Sequence, residues 1–179
     1  MKLNDVMVDI ETLGTKPGSV ILTIGAIKFD RSTPVPDLGK MDTFYRRIRT
    51  NSCIKIGMTS DRGTELWWSK QDPEIQYEAL VAPDRVSIKR ALKDFTEWFG
   101  DCAHIWSHGD DFDCVLMESA YRLLGQKAPW SFPNTRDTRT LYDIGNVQLN
   151  SLPQNAKHHA LHDCYRQIIG VQKALQNLK

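Results

Sequence analysis

The first third of the chain alternates short apolar runs with turn residues. Val6–Ile10 is apolar and ends in charge, Val20–Phe29 is longer and rich in Ile and Val, and Thr43–Ile48 carries Phe44 and Tyr45. Each reads as a β-strand. Gly14, Pro17 and Gly18 separate the first two, and Pro34, Pro36 and Gly39 separate the second and third. Turns this short make the neighbours antiparallel. Beyond them the period changes from two to 3.6. In Val86–Phe99, Ile88, Ala91, Leu92, Phe95, Trp98 and Phe99 form one helical stripe that Gly100 stops. Ala103–Ser107 reads as a strand and Phe112–Leu124 as an amphipathic helix ended by Gly125. The last helix, from about Ala160, carries Leu161, Cys164, Ile168, Val171, Leu175 and Leu178. Trp67 and Trp68 fall in a further helix after Thr59-Ser60-Asp61. A meander followed by βα units predicts an α/β fold with a mixed sheet flanked by helices. With 179 residues, no repeat and no long linker, a single domain over 1–179 is expected.

Composition excludes more than it suggests. The 23 basic and 22 acidic side chains balance to a net charge of +1, so coating duplex DNA by bulk charge is excluded and any nucleic acid must be met at a local site. The four cysteines, Cys53, Cys102, Cys114 and Cys164, form no CxxC pair. A reduced cytoplasmic setting is the simplest expectation. No apolar run approaches the roughly 20 residues that span a bilayer, and Asp5 and Asp9 interrupt any signal-like core.

Three segments carry candidate chemistry. Asp9 and Glu11 are two apart at the end of the first strand, so both carboxylates project to one face while Ile10 turns to the core. Paired like charges are costly without a neutralising partner, and a hard divalent cation is one. A solvated strand end is the plain alternative. His108-Gly-Asp-Asp-Phe-Asp113 joins a strand to a helix, where α/β proteins build sites. Helix capping by Asp110 or Asp111 explains it equally well. His158-His-Ala-Leu-His-Asp163 opens the last helix, with Asp163 on the core-facing side, where a lone carboxylate needs a metal or partner. His158 and His162 are also four apart, a spacing that suits zinc on a helix, although no H-E-x-x-H is present.

The order D-x-E, then F-D after a strand, then H-x4-D on the last helix resembles the DEDDh branch of the DnaQ-like, ribonuclease-H-like 3′→5′ exonucleases. Asp9-Ile-Glu11-Thr-Leu-Gly14 resembles the family's D-x-E-T-x-G first motif, and His108–Asp113 and His158–Asp163 resemble the second and third. The motifs span residues 9 to 163. Trp67-Trp68 with Gln71-Asp-Pro73 is similar to the smaller phage-borne and mycobacterial-type exonucleases of the family. The resemblance implies a ribonuclease-H-like sheet and a metal-dependent 3′–5′ exonuclease that releases nucleoside 5′-monophosphates from the 3′ end of single-stranded DNA or RNA. It implies that Asp9, Glu11, Asp113 and Asp163 hold two Mg²⁺ ions, with Mn²⁺ as a substitute, and that His158 is the general base. It also implies that Thr12, Leu13 and Gly14 abut the terminal nucleotide, with Gly14 allowing close approach, and a homodimer is its family-level expectation. Trp68 or Trp67 would stack a base, with core packing as the alternative. Arg46, Arg47, Arg49, Arg136 and Arg139 would meet phosphates or form a solvated face. His159 and His162 receive no role.

Overall fold

The structure is a computed structural model that describes residues 3–153 and 158–179. Strand β1 (Asp5–Thr12) pairs antiparallel with β2 (Ile21–Phe29), and β2 pairs antiparallel with β3 (Asp42–Arg47). Short helices α1 (Thr50–Ile54), α2 (Arg62–Trp68) and α3 (Pro73–Gln76) follow, then a π-helical turn, Tyr77–Val81. The remainder is α4 (Ile88–Phe99), β4 (His104–Ser107), α5 (Asp113–Leu123), β5 (Thr135–Asp137), α6 (Thr138–Ile144) and α7 (Ala160–Asn177). Strand order is β3-β2-β1-β4-β5, with β4 parallel to β1 and β5 parallel to β4.

The meander and the βα units are therefore where the periodicity placed them, with ends moved by a few residues. β1 is longer than its apolar run, because Asp5, Glu11 and Thr12 also pair with β2, with a shift of register between Glu11 and Thr12. Helix α4 starts at Ile88 rather than Val86, because Ser87 caps Arg90 N–H and Val86 makes an isolated parallel bridge to Ile48. The unassigned stretch from 130 to 150 supplies β5 and α6, each too short for a period to show.

The sheet separates two cores. Val6, Val8 and Ile10 face α4 and α5, whereas Met7, with Ile27, Phe29 and Trp106, faces α6 and α7. Period-two alternation therefore sends Asp9 and Glu11 to the α7 side of β1. That face is built for close approach. A Cβ on Gly25, the β2 residue opposite Asp9, would lie 2.6 Å from the Ala160 carbonyl carbon and the Leu161 nitrogen. Lacking that Cβ, Gly25 lets the first turn of α7 rest on the sheet, and the Cys164 thiol reaches the Gly25 carbonyl at 3.3 Å.

Candidate active site

Asp9, Glu11 and Asp163 each offer a carboxylate oxygen, and these atoms lie within 4.8 Å of one another. The first two come from adjacent same-face positions of β1 and the third from the first turn of α7. Asp113 reaches the group from α5. Strand β4 ends at Ser107, and the Ile10 N–H beyond it donates to Asp113 Oδ1 at 3.0 Å. The helix-capping alternative for this loop does not hold: the residue before α5 is Phe112, and no side chain caps the helix. Asp113 is buried, and its charge reaches Asp9 and Glu11.

Burial and mutual repulsion raise the pKa values of this cluster. Burial, then the nearby Asp113, Glu11 and Asp163 charges, push Asp9 well above the ordinary carboxylate range. Burial, then the Asp163 and Asp113 charges, push Glu11 up to about 8. Burial raises Asp113 to about 7 against the opposing Ile10 hydrogen bond, and raises Asp163 to about 6 against Arg166. Oxygen donors of this charge and spacing fit a hard divalent cation, whose own charge would restore all four to the ionised form.

One residue of the cluster escaped the sequence reading. Gln167, buried and one helical turn after Asp163, donates from Nε2 to Asp9 Oδ1 at 2.9 Å. Its only sequence signal is the i+4 spacing from Asp163, which places it on the same face of α7. Gly25 escaped as well, since a lone glycine in a strand says nothing about which helix will cross it.

His158 does not share a helical face with His162. Its backbone is left-handed, with φ 52°, and α7 begins two residues later. Its ring meets Trp67 edge-to-face at 4.8 Å and Trp68 at 6.4 Å, while His162 packs against His159 at 4.7 Å. The helical zinc spacing is thus broken. Among the described residues, the group of three or more metal-type side chains is the carboxylate cluster.

A groove of about 450 Å³ opens beside Glu11, lined by Thr12, Asp61, Thr64, Trp67 and Phe112 among others. Thr12 contributes to it, but Leu13 and Gly14 are not among its lining residues. Leu13 packs partly against the larger core. At Gly14 a Cβ would lie 2.5 Å from Ser19 Oγ, so its bareness is used by the protein's own turn. The two tryptophans divide as adjacent helical residues must. Trp68 lines the inner wall of the groove but is only 2% exposed, and it donates from Nε1 to the Thr12 carbonyl at 2.8 Å. Trp67 is 41% exposed and carries the open face.

The arginines divide too. Arg46 pairs with Asp94 and Arg47 with Glu78, while Arg136 Nη1 donates to the Pro133 and Thr135 carbonyls. Arg139 lies against Gly109, where a Cβ would be 2.8 Å from its guanidinium carbon, and its charge reaches Asp113. All four cysteines are free thiols. Among the described residues no helix is long and apolar enough to cross a membrane.

The known proteins to which this chain is similar include nucleases. The exodeoxyribonuclease of Enterobacteria phage T4 is 24% identical over 209 residues, covering 96% of this chain and 89% of the phage protein. Exonuclease X, solved in complex with 5′ overhanging duplex DNA, superimposes with a TM-score of 0.52 at 17% identity, over 96% of this chain and 91% of its own. S. pombe Pop2p, solved in a Mg²⁺- and Mn²⁺-bound form, gives 0.54 at 12% identity, over 93% and 81%. At these identities the two structures speak for the ribonuclease-H-like exonuclease fold. Residues 4–175 match the model of the 3′-5′ exoribonuclease Rv2179c-like domain, so this chain belongs to that family and is a 3′–5′ exonuclease.

Proposed function

We propose that the enzyme removes nucleoside 5′-monophosphates from the 3′ end of single-stranded nucleic acid, using two divalent cations and His158 as general base. The observation that carries this is the convergence of Asp9, Glu11 and Asp163 within 4.8 Å, beside a groove wide enough for a nucleotide. Asp9, Glu11 and Asp163 would hold one ion, with Asp9 shared and Asp113 serving the second; Mg²⁺ is the expected ion and Mn²⁺ its substitute. Such ions supply neutralising charge at the phosphate and at the attacking and leaving oxygens.

The chain's own residues do the rest. Neutral His158 takes the proton of the attacking water, and its ring is aimed by Trp67 and Trp68. Gln167 holds Asp9 by one oxygen. Trp67 offers its exposed face to a base, Thr12 stands at the groove wall, and Arg139 contacts a phosphate of the strand. Trp68 acts indirectly, by fixing the Thr12 carbonyl.

The test is digestion of end-labelled single-stranded DNA and RNA of matched sequence, with and without Mg²⁺. Mononucleotides should appear from the 3′ end only with the metal, and a 3′-phosphate should block them. Equal loss on blocking the 5′ end would overturn the polarity. The same pair of substrates decides between DNA and RNA.

A further inference from the structure

A second polar cluster lies at the start of α7, on residues that do not line the groove. Glu78, in the π-helical turn, accepts both guanidinium N–H groups of Arg47 at 2.8 Å and the Tyr45 hydroxyl at 2.6 Å. Burial alone would raise the Glu78 carboxyl, but the Arg47 fork and the Tyr45 hydroxyl outweigh it and hold the carboxyl below its ordinary value. The Tyr45 ring in turn lies flat on the His159 imidazole, with centroids 4.9 Å apart and planes 15° apart. His159 Nε2 is 3.9 Å from Glu78 Oε1. Arg85 ties the turn to the sheet by donating to the Glu78 and Ile48 carbonyls.

His159 sits at a decisive point of the backbone. It is the residue before α7, and its carbonyl accepts the Asp163 N–H at 3.0 Å and the His162 N–H at 2.8 Å. Its predecessor His158 has a left-handed backbone, a conformation that costs a residue with a Cβ and survives only where the surroundings over-determine it. Trp67 grips one side of this bend through His158, and Tyr45 grips the other through His159. A π-turn at the base of the grip is a feature often found at functional sites.

We infer that Tyr45, fixed by Glu78 and Arg47, is a positioning residue: by stacking on His159 it sets the register of the bend that aims His158 at the carboxylate cluster. This rests on His158 being the general base. Tyr45 and His159 are not among the residues that line the groove, so loss of the stack should act on the chemical step, through His158 and through Asp163, whose N–H the His159 carbonyl accepts, and leave substrate binding alone. A displacement of about 1 Å at a reacting group costs roughly 10²-fold in rate.

The experiment compares Tyr45→Ala and Tyr45→Phe with the intact protein. Three quantities are measured: kcat and KM on single-stranded substrate with saturating Mn²⁺, the melting temperature, and the ring-current-shifted His158 imidazole proton resonance in metal-free protein, assigned by its loss in His158→Ala. Tyr45→Ala should lower kcat by roughly 10²-fold with KM nearly unchanged and move the His158 resonance away from its Trp67-shifted position. Tyr45→Phe keeps the stack and should retain most of kcat and the resonance. The inference is overturned if Tyr45→Ala keeps wild-type kcat and an unmoved resonance, or if Tyr45→Phe falls as far as Tyr45→Ala. It is also overturned if Tyr45→Ala melts below the assay temperature while Tyr45→Leu, which keeps an apolar side chain but not the stack, leaves kcat and the resonance unchanged. An intact wild-type enzyme whose His158→Ala variant turns over normally would instead overturn the general-base assignment.

Discussion

Gly25 stands directly across the β1–β2 ladder from Asp9, and the first turn of α7 rests on it. The residue opposite Asp9 is therefore the one that lets Asp163 come within reach of it. A Cβ at Gly25 would meet backbone atoms of Ala160 and Leu161, which cannot rotate away as a side chain can. Gly25→Ala should destabilise the protein by about 1–3 kcal/mol, the usual range for overpacking. It should also weaken Mn²⁺ binding measured by calorimetry, because α7 must lift. Unchanged Mn²⁺ affinity would show that α7 tolerates the methyl group in place.

Trp68 and Trp67 should separate cleanly on mutation. Trp68→Ala removes a buried ring and its bond to the Thr12 carbonyl, and should cost roughly 3–5 kcal/mol by denaturant titration. Trp67→Ala removes a half-exposed ring. It should leave the melting temperature nearly unchanged and raise KM, because base stacking is worth about 1–3 kcal/mol. If the KM effect belongs to Trp68 instead, the groove face is misassigned.

The carboxylate cluster makes metal-free stability depend on pH in a defined direction. Glu11, Asp113 and Asp163 have native values raised to about 8, 7 and 6, above those of ordinary carboxyl groups. The native state thus holds protons that the unfolded state has released, and unfolding becomes easier as pH rises through this window. Asp9→Asn removes one of the repelling charges while keeping the shape. The melting temperature of Asp9→Asn minus that of the wild type, both in chelator, should grow between pH 5 and pH 8. Mg²⁺ should raise the wild type far more than the variant, and exonuclease activity should be lost. A melting difference that does not change with pH would mean that the acids do not repel one another.

His158→Ala should lower kcat by roughly 10²–10⁴-fold, the usual contribution of a general base, while leaving Mn²⁺ binding intact. The base must be neutral, so kcat of the wild type should rise with pH, and this rising limb should vanish in the variant. His162→Ala is the matched control, because His162 packs against His159 and not against the groove tryptophans. A His162 variant that loses both metal and activity while His158→Ala stays active would overturn the present assignment of the site.

What the sequence determined is what local chemistry determines. The continuous apolar run of Val20–Phe29 reflects a strand buried on both faces, and the 3–4 spacing of α4, α5 and α7 reflects one buried helical face, so both patterns appear in any window that contains them. The pairing of Asp9 with Glu11 on one side of β1 follows from the two-residue period alone, and the family motifs were legible for the same reason: each lies within six residues. The rest was decided by chain segments that meet only in three dimensions. The division between Trp67 and Trp68 follows from which side of α2 faces the Thr12 turn, and no property of a Trp-Trp pair encodes that. His158 left the helical face of His162 because its backbone turned left-handed between Trp67 and the stack of Tyr45 on His159. Gln167 and Gly25 have ordinary sequence neighbourhoods. They became part of the site because α7 crosses β1 and β2 at Asp9, a contact 158 residues apart in the chain between Gln167 and Asp9. Such contacts depend on the shapes of two packed surfaces, which only the folded chain brings together.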